Sequence, residues 1–252
     1  MSSDVLLSSR PADGVLQLTV NRPDVLNAIS VDVQRRIDAA MAAAADDPAV
    51  RAVVLAGAGG KALSAGYDIH ELTEMTEDEH TLVQVEREEL LWRWLESPVP
   101  TVVACTGVTY GAGMLMATCA DLRIGSPDTQ IKVTATMYGG ANLTWLLDTI
   151  VGTTAARDML LTSRVVPGEE ASRIGFFSRY VADDEVLDTA IAAAAEIAAN
   201  DPLAVSEVKR LLLAGAGREL RARYDNENTV MLTTLRPKPM KDMFASFLRR
   251  KG

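Results

Sequence analysis

A chain of 252 residues with 48% apolar side chains can bury a full core without disulfides or a structural metal. Its 25 Lys and Arg stand against 34 Asp and Glu, a formal net charge of −9, and no basic block offsets the repulsion that nucleic acid or an anionic membrane would meet. The two cysteines, Cys105 and Cys119, lie in apolar contexts, and the two histidines, His70 and His80, do not form an HExxH pair, so no disulfide scaffold and no metal site is expected.

Val15–Val20 (VLQLTV) reads as a strand, broken by Asn21-Arg22-Pro23. Ser30 is placed to cap a helix over Val31–Ala45, with Val31, Val33, Ile37 and Met41 as its apolar stripe. The wholly apolar Ala52–Ala56 is expected as a strand buried on both faces, followed by a loop at Gly57-Ala58-Gly59-Gly60. Thr76–Glu96 reads as an acidic amphipathic helix with Leu82, Leu90, Leu91 and Trp94 on its apolar face, ended by Pro98 and Pro100. Its acidic start through Glu88, His80 included, reads as a solvated face.

Thr101–Cys105 is the next expected strand, and Gly107 with Tyr110–Ala120 suggests a turn into a buried helix. Leu122–Gly125 and Ile131–Thr134 follow as short strands. From Trp145 the chain is mostly helical in pattern: Ala155–Thr162, Gly168–Ile174, Glu185–Asn200, Leu203–Ala214, Arg218–Leu235 and Met240–Arg250, with a short strand at Phe177–Val181. Asp201-Pro202 marks a helix start. Strand, strand, helix repeats with drifting spacing, not as a fixed-period array. The expectation is an α/β core over residues 1–195 and a C-terminal helical region over 196–252.

Four segments carry a resemblance. They are Asn21-Arg22-Pro23-Asp24-Val25-Leu26-Asn27-Ala28; Lys61-Ala62-Leu63-Ser64-Ala65-Gly66-Tyr67-Asp68-Ile69; Pro98-Val99-Pro100 through Gly111-Ala112-Gly113 and Cys119-Ala120-Asp121-Leu122-Arg123-Ile124; and Leu161-Thr162 through Pro167, Glu170-Ala171 and Ile174-Gly175. In this order they resemble the crotonase superfamily, also called the enoyl-CoA hydratase/isomerase family, over roughly residues 5–185 with a family-like helical tail.

The resemblance implies a spiral of ββα turns, a helical C-terminal region that forms a homotrimer or hexamer, and an acyl-CoA thioester ligand. CoA is then part of the substrate, and no separate cofactor is implied. The family's shared step holds an enolate-like anion with two backbone N–H groups, which fall here on Tyr67 and Ala112. The residues agree with this on their own terms. Gly66 allows close backbone approach before Tyr67. Gly111-Ala112-Gly113 opens an apolar helix, whose first turn presents unpaired N–H groups. The same Gly-x-Gly also suits tight packing on a strand, and both readings can hold.

By the same resemblance the CoA path runs along Val25, Leu26, Ala28, Lys61, Ala62, Leu63, Ala65, Gly66, Asp68 and Ile69. Lys61 is a phosphate partner or an ordinary surface lysine. Asp68 reads as a cap rather than a base. Cys105 and Cys119 read as small buried apolar residues.

Where hydratases of the family carry two glutamates, this chain has Leu115 and Ala135. Hydration of a conjugated thioester needs a base for water and an acid for the α-carbon, and neither residue supplies one. No Asp or Glu lies in Ile131–Met137, so a slipped alignment restores nothing. The following loop offers Tyr138, Asn142, Thr144, Trp145 and Asp148. Methylmalonyl-CoA decarboxylase relatives carry His where Tyr67 stands, in a stretch similar to Ser64–Leu72, and also lack the glutamate pair. Decarboxylation needs a held enolate and an apolar pocket, not a base.

The expectation is a crotonase-superfamily enzyme of acyl-CoA thioesters that uses a non-standard pocket and is decarboxylase-like rather than a standard hydratase. The alternatives are a non-catalytic acyl-CoA binder or partner subunit, and a thioester hydrolase or dehalogenase-like relative using Asp148 covalently. The N-terminus lacks the pattern of a signal peptide and no run of about 18 apolar residues occurs, so no membrane association and a cytoplasmic location are expected.

Overall fold

An antiparallel hairpin, β1 (Leu6–Ala12) and β2 (Val15–Val20), opens the chain in a computed structural model that describes residues 4–235. Then follow α1 (Val31–Asp46), β3 (Ala52–Gly57), β4 (Ala62–Ser64), α2 (Ile69–Glu74) and α3 (Glu77–Glu96). The middle holds β5 (Thr101–Ala104), β6 (Val108–Tyr110), α4 (Ala112–Thr118), β7 (Leu122–Gly125) and β8 (Gln130–Lys132). The rest comprises α5 (Leu147–Thr162), β9 (Val166–Pro167), α6 (Gly168–Arg173), β10 (Arg179–Tyr180), α7 (Val186–Ala198), α8 (Pro202–Ala214) and α9 (Leu220–Val230).

Two sheets result, a six-stranded one in the order β1-β2-β3-β5-β7-β10 and a four-stranded one in the order β4-β6-β8-β9. Neighbours are parallel except at the two antiparallel pairs β1–β2 and β8–β9. Each strand pair β3/β4, β5/β6 and β7/β8 places its first member in the large sheet and its second in the small one. Repetition of that step, with helices between, is the spiral of ββα turns that the resemblance implies.

The hydrophobic period explains the layers. No residue of Ala52–Ala56 is more than 4% exposed, as expected for a strand covered on both faces. Ala52, Val54 and Ala56 pack with Val15, Val102, Ala104 and Ile124 against Val186, Ala190, Ala193, Ala194 and Ala198 of α7. Small side chains along that helix let it lie close on the sheet. Across the chain, α1 buries Val33, Ile37 and Met41 under its Ser30 cap, whose Oγ accepts from Val33 N–H at 3.3 Å.

Several expectations are corrected. On α3, Leu82 is exposed, and the apolar stripe instead runs Val83, Arg87, Leu90, Leu91 and Trp94. Thr76 closes that helix with a reciprocal Thr76–Glu79 box. Helix α5 begins at Leu147 rather than Ala155, with a break at Gly152, and Phe177–Val181 shrinks to two strand residues. Trp145 is half exposed and lies against Trp92. Strand β1 carries Pro11 and has an almost wholly exposed face, so no apolar alternation announces it; as an edge strand it tolerates the proline. The helix expected at Met240–Arg250 lies outside the described residues.

Two compact units meet in sequence at Ala199/Asn200. The first contains both sheets; described elements of the second are α8, capped by Asp201, and α9, which runs into a π-helical turn at Met231–Leu235.

Candidate active site

Parallel pairing of β4 with β6 brings the ends of both strands to one edge of the small sheet. The chain leaves β4 through Ala65-Gly66-Tyr67 and leaves β6 through Gly111 into α4, so two loops far apart in sequence become neighbours. Gly111 has φ +47° and ψ −115°, a conformation open to glycine. A Cβ there would lie 3.1 Å from Gly66 Cα and 3.2 Å from Thr134 Oγ1. Gly111 N–H is tied to Lys132 O at 3.1 Å, and Gly66 O accepts from Ile29 N–H at 2.8 Å. Ser64 Oγ holds the first loop from within, accepting from Gly66 N–H at 3.2 Å.

Among the described residues, neither Tyr67 N–H nor Ala112 N–H donates to a protein acceptor. Ala112 is the first residue of α4, where an N–H has no intrahelical partner. That helix has only seven residues, so its contribution is the orphan donor more than a full macrodipole.

Beside these loops lies a cleft of about 500 Å³. Gly66, Tyr67 and Gly111 border it, and Leu115 and Ala135 face it as well. Tyr138, Gly140 and Asn142 form the wall after β8, where a 3₁₀ turn spans Ala135–Tyr138. Helices α2 and α3 also line it, through Ile69, Leu72, His80, Gln84, Arg87 and Glu88. Ala112 borders a small recess shared with Tyr67, Arg87 and Gln34.

The cleft thus brings together Tyr67, Gly66, Ala65, Ile69, Leu115, Ala135, Tyr138 and Asn142 from the sequence reading. It does not include Val25, Leu26, Ala28, Lys61, Ala62, Leu63, Asp68 or Asp148. Val25, Leu26 and Lys61 are exposed outside it, whereas Ala62 and Leu63 are core residues of β4 at 0% and 1% exposure, leaving only backbone to offer a ligand. Asp68 caps α2, accepting from His70 and Glu71 N–H, and pairs with Arg22 at 2.8 Å. The Arg22 guanidinium holds the Asp68 carboxyl below its ordinary range, opposed by partial burial and helped by the cap bonds. Burial pushes the Cys105 and Cys119 thiols up to about 12, which leaves both as unreactive core residues.

The contribution of α3 is what sequence reasoning missed. Arg87 is buried at 9% exposure, on the apolar stripe between Val83 and Leu90. Its guanidinium lies 3.7 Å over the Tyr67 ring, and its Nε–H donates to Gln34 Oε1 at 3.1 Å. Burial pushes the Tyr67 phenol up to about 12 despite the nearby Arg87 cation, so its hydroxyl is neutral at physiological pH. A lone charge on an otherwise apolar helical stripe was the available signal. His80 and Glu88 are exposed on the helix, as expected, yet both border the cleft.

The sequence matches the enoyl-CoA hydratase/isomerase family over residues 10–251. It is 32% identical over 224 residues to a probable enoyl-CoA hydratase of Mycobacterium bovis, covering 84% of this chain and 78% of that protein. A short-chain-enoyl-CoA hydratase of Clostridium acetobutylicum is 28% identical, covering 94% of this chain and 92% of the relative. The crystal structure of an enoyl-CoA hydratase from Bacillus anthracis superposes with a TM-score of 0.92 over 98% of this chain and 97% of that one, at 23% identity, a likeness of fold.

Proposed function

The chain belongs to the enoyl-CoA hydratase/isomerase family, and from that premise we propose that it holds an acyl-CoA thioester by its carbonyl oxygen and runs enolate chemistry without the paired carboxylates of a hydratase. The observation that carries this reading is the meeting of two acceptor-free N–H groups, on Tyr67 and Ala112, beside a cleft lined by Leu115 and Ala135, where the resemblance puts the glutamates of a hydratase. The two donors face charge that grows on the thioester oxygen as the enolate forms. A preorganised donor of this kind contributes about 10²–10³ in rate.

Decarboxylation fits that equipment best. The bond from the α-carbon to a carboxylate breaks, its electron pair enters the thioester as the enolate, and CO₂ leaves. The α-carbon then takes one proton from solvent. Leu115, at 5% exposure, supports the step by giving the departing carboxylate an apolar neighbour. Asn142 and the exposed Tyr138 are the polar groups on the facing wall.

One observation favours a second reading. Glu88 and His80 border the same cleft, so α3 offers an acid/base group from a new direction, and hydration or isomerisation would then return. A covalent role for Asp148 has no such support, because that residue lies outside the cleft. The trimer or hexamer expected of the C-terminal helices belongs to the same proposal and is read by sedimentation.

The deciding experiment incubates the protein with malonyl-, methylmalonyl- and crotonyl-CoA and follows each ester by mass spectrometry. Loss of CO₂ from a carboxylated ester supports the proposal. Crotonyl-CoA hydration at ordinary enzyme rates overturns it in favour of an α3 base, and binding without turnover overturns it in favour of a non-catalytic binder.

A further inference from the structure

Tyr67 and Arg87 border both the cleft and the small recess that Gln34 shares with them, and these three residues have more hydrogen-bond donors than acceptors. Arg87 carries five N–H donors, of which one, at Nε, has a protein acceptor among the described residues. No described carboxylate stands within the 4.0 Å of an ion pair. Gln34, 4% exposed, spends its Oε1 on Arg87 and leaves its buried Nε2 with no partner. The Nη donors of Arg87 are not sealed in protein: they keep solvent access beside the cleft and are open to a ligand.

The fold shows the paired alternative. Arg123 is as buried as Arg87, yet it donates to three backbone carbonyls, of Phe176, Ala117 and Ala120. The more exposed Arg22, Arg35, Arg93 and Arg164 all pair with carboxylates. Arg87 does neither. The two nearest acidic influences do not fill the gap: Glu71 accepts from Val31 N–H at 2.8 Å, and Glu88 is the next residue on the helix, where neighbours do not face each other. The Tyr67 ring covers one face of the guanidinium and so leaves its edge, the side that carries the Nη donors, for a ligand.

We propose that Arg87 is the recognition residue for a carboxylate on the acyl chain, so that this cleft takes thioesters of dicarboxylic acids. The inference rests on the acyl-CoA reading above and deepens it. The planar guanidinium matches a carboxylate through two parallel bonds. Its place beside Tyr67 sets the recognised group next to the donors for the thioester oxygen, far closer to the reacting carbon than the phosphates of CoA need to be.

The test measures binding of matched saturated esters by calorimetry: butyryl- against succinyl-CoA, and pentanoyl- against glutaryl-CoA. Both members of a pair carry the same phosphates, so the ratio isolates the acyl carboxylate. The wild-type protein is expected to prefer the carboxylated member of at least one pair by about ten- to a hundredfold. Arg87→Met should remove the preference, and Arg87→Lys, which keeps a point charge without the fork, should retain a reduced one. Melting curves establish that each variant folds, and the wild-type ratio stands even where one does not. Equal binding of both members of every pair overturns the inference while leaving the acyl-CoA reading intact, as does a preference that survives Arg87→Met. Failure of every ester to bind overturns the acyl-CoA reading itself.

Discussion

Replacing Gly111 with alanine tests the oxyanion geometry at its tightest point. The new Cβ would stand 3.1 Å from Gly66 Cα and 3.2 Å from Thr134 Oγ1, so backbone on one side or a hydroxyl on the other must give way by a few tenths of an ångström. The residue must also hold φ +47° with ψ −115°, a region that costs an L-residue about 1–3 kcal/mol. Relief comes by rotating the Gly111–Ala112 peptide or by pushing the Gly66–Tyr67 strand away, and either moves a donor. Loss of one such donor lowers kcat by about 10²–10³. The assay is kcat on whichever ester the wild type turns over, beside a melting curve. Gly14→Ala is the control, because its φ is +73° and its Cβ would meet Ala198 Cβ at 3.0 Å, a strained site away from the cleft. Both variants should melt earlier and only Gly111→Ala should lose kcat. A Gly111→Ala protein that melts earlier yet keeps its kcat would refute the assignment of Ala112 N–H.

Restoring carboxylates by Leu115→Glu with Ala135→Glu should raise crotonyl-CoA hydration by at least about 10²-fold over the wild type, read as loss of the conjugated thioester absorbance. Tyr67→Phe keeps the backbone donor and the aromatic face under Arg87, so turnover should stay within about tenfold of the wild type. The same change should flatten the alkaline limb of stability. The folded phenol titrates at about 12 against an ordinary 10.0, so its stabilising contribution is complete below 10 and is lost as pH rises through 12, which absorbance at 295 nm follows. Asp68→Asn should cost about 1 kcal/mol through the weakened cap and lost ion pair. Because the folded Asp68 carboxyl is depressed below 3.8, its contribution is complete above that value and is lost as pH falls through the folded one. Acid unfolding curves of wild type and variant should therefore converge at low pH.

The parts of this fold with their own hydrophobic period were legible in the sequence. Val15–Val20, Ala52–Ala56 and Leu122–Gly125 come out as strands within a residue, and Ser30, Thr76 and Asp201 act as the caps or helix starts their residue types suggest. Strands of three residues, β4 and β6, carry too few positions to show a period; only the pairing between them reveals that Gly66 and Gly111 meet. The helix carrying His80, Arg87 and Glu88 was legible as a helix but not as a cleft wall. Its acidic face looks solvated because it is, and exposure on a helix does not say what stands opposite. Leu82, expected on the apolar face, is exposed, and Val83, one position on, turns the stripe far enough to carry Arg87 inward.

Decarboxylation and carboxylate recognition by one arginine constrain each other. A guanidinium bonded to the carboxylate that leaves stabilises a charge the transition state is losing, and a charge-assisted hydrogen bond of about 1.5–3 kcal/mol would raise the barrier by much of that amount. A dicarboxylic acid bound as its thioester has one free carboxylate, so the conflict is escaped only where the acyl chain carries a second one, which Arg87 holds and which stays on the product. Arg87 then anchors the acyl chain and leaves the departing group to the apolar Leu115 and Ala135. The two arrangements separate in the kinetics of Arg87→Met. If the held carboxylate is the leaving one, KM rises while kcat holds or increases, because a ground-state interaction has gone. If it is a retained one, kcat and kcat/KM fall together as the departing bond loses its alignment with the enolate. The acidic composition makes the same point from the other side. A chain of net charge −9 attracts no dicarboxylate by its overall field, so an unpaired cation inside the cleft is the feature able to select one.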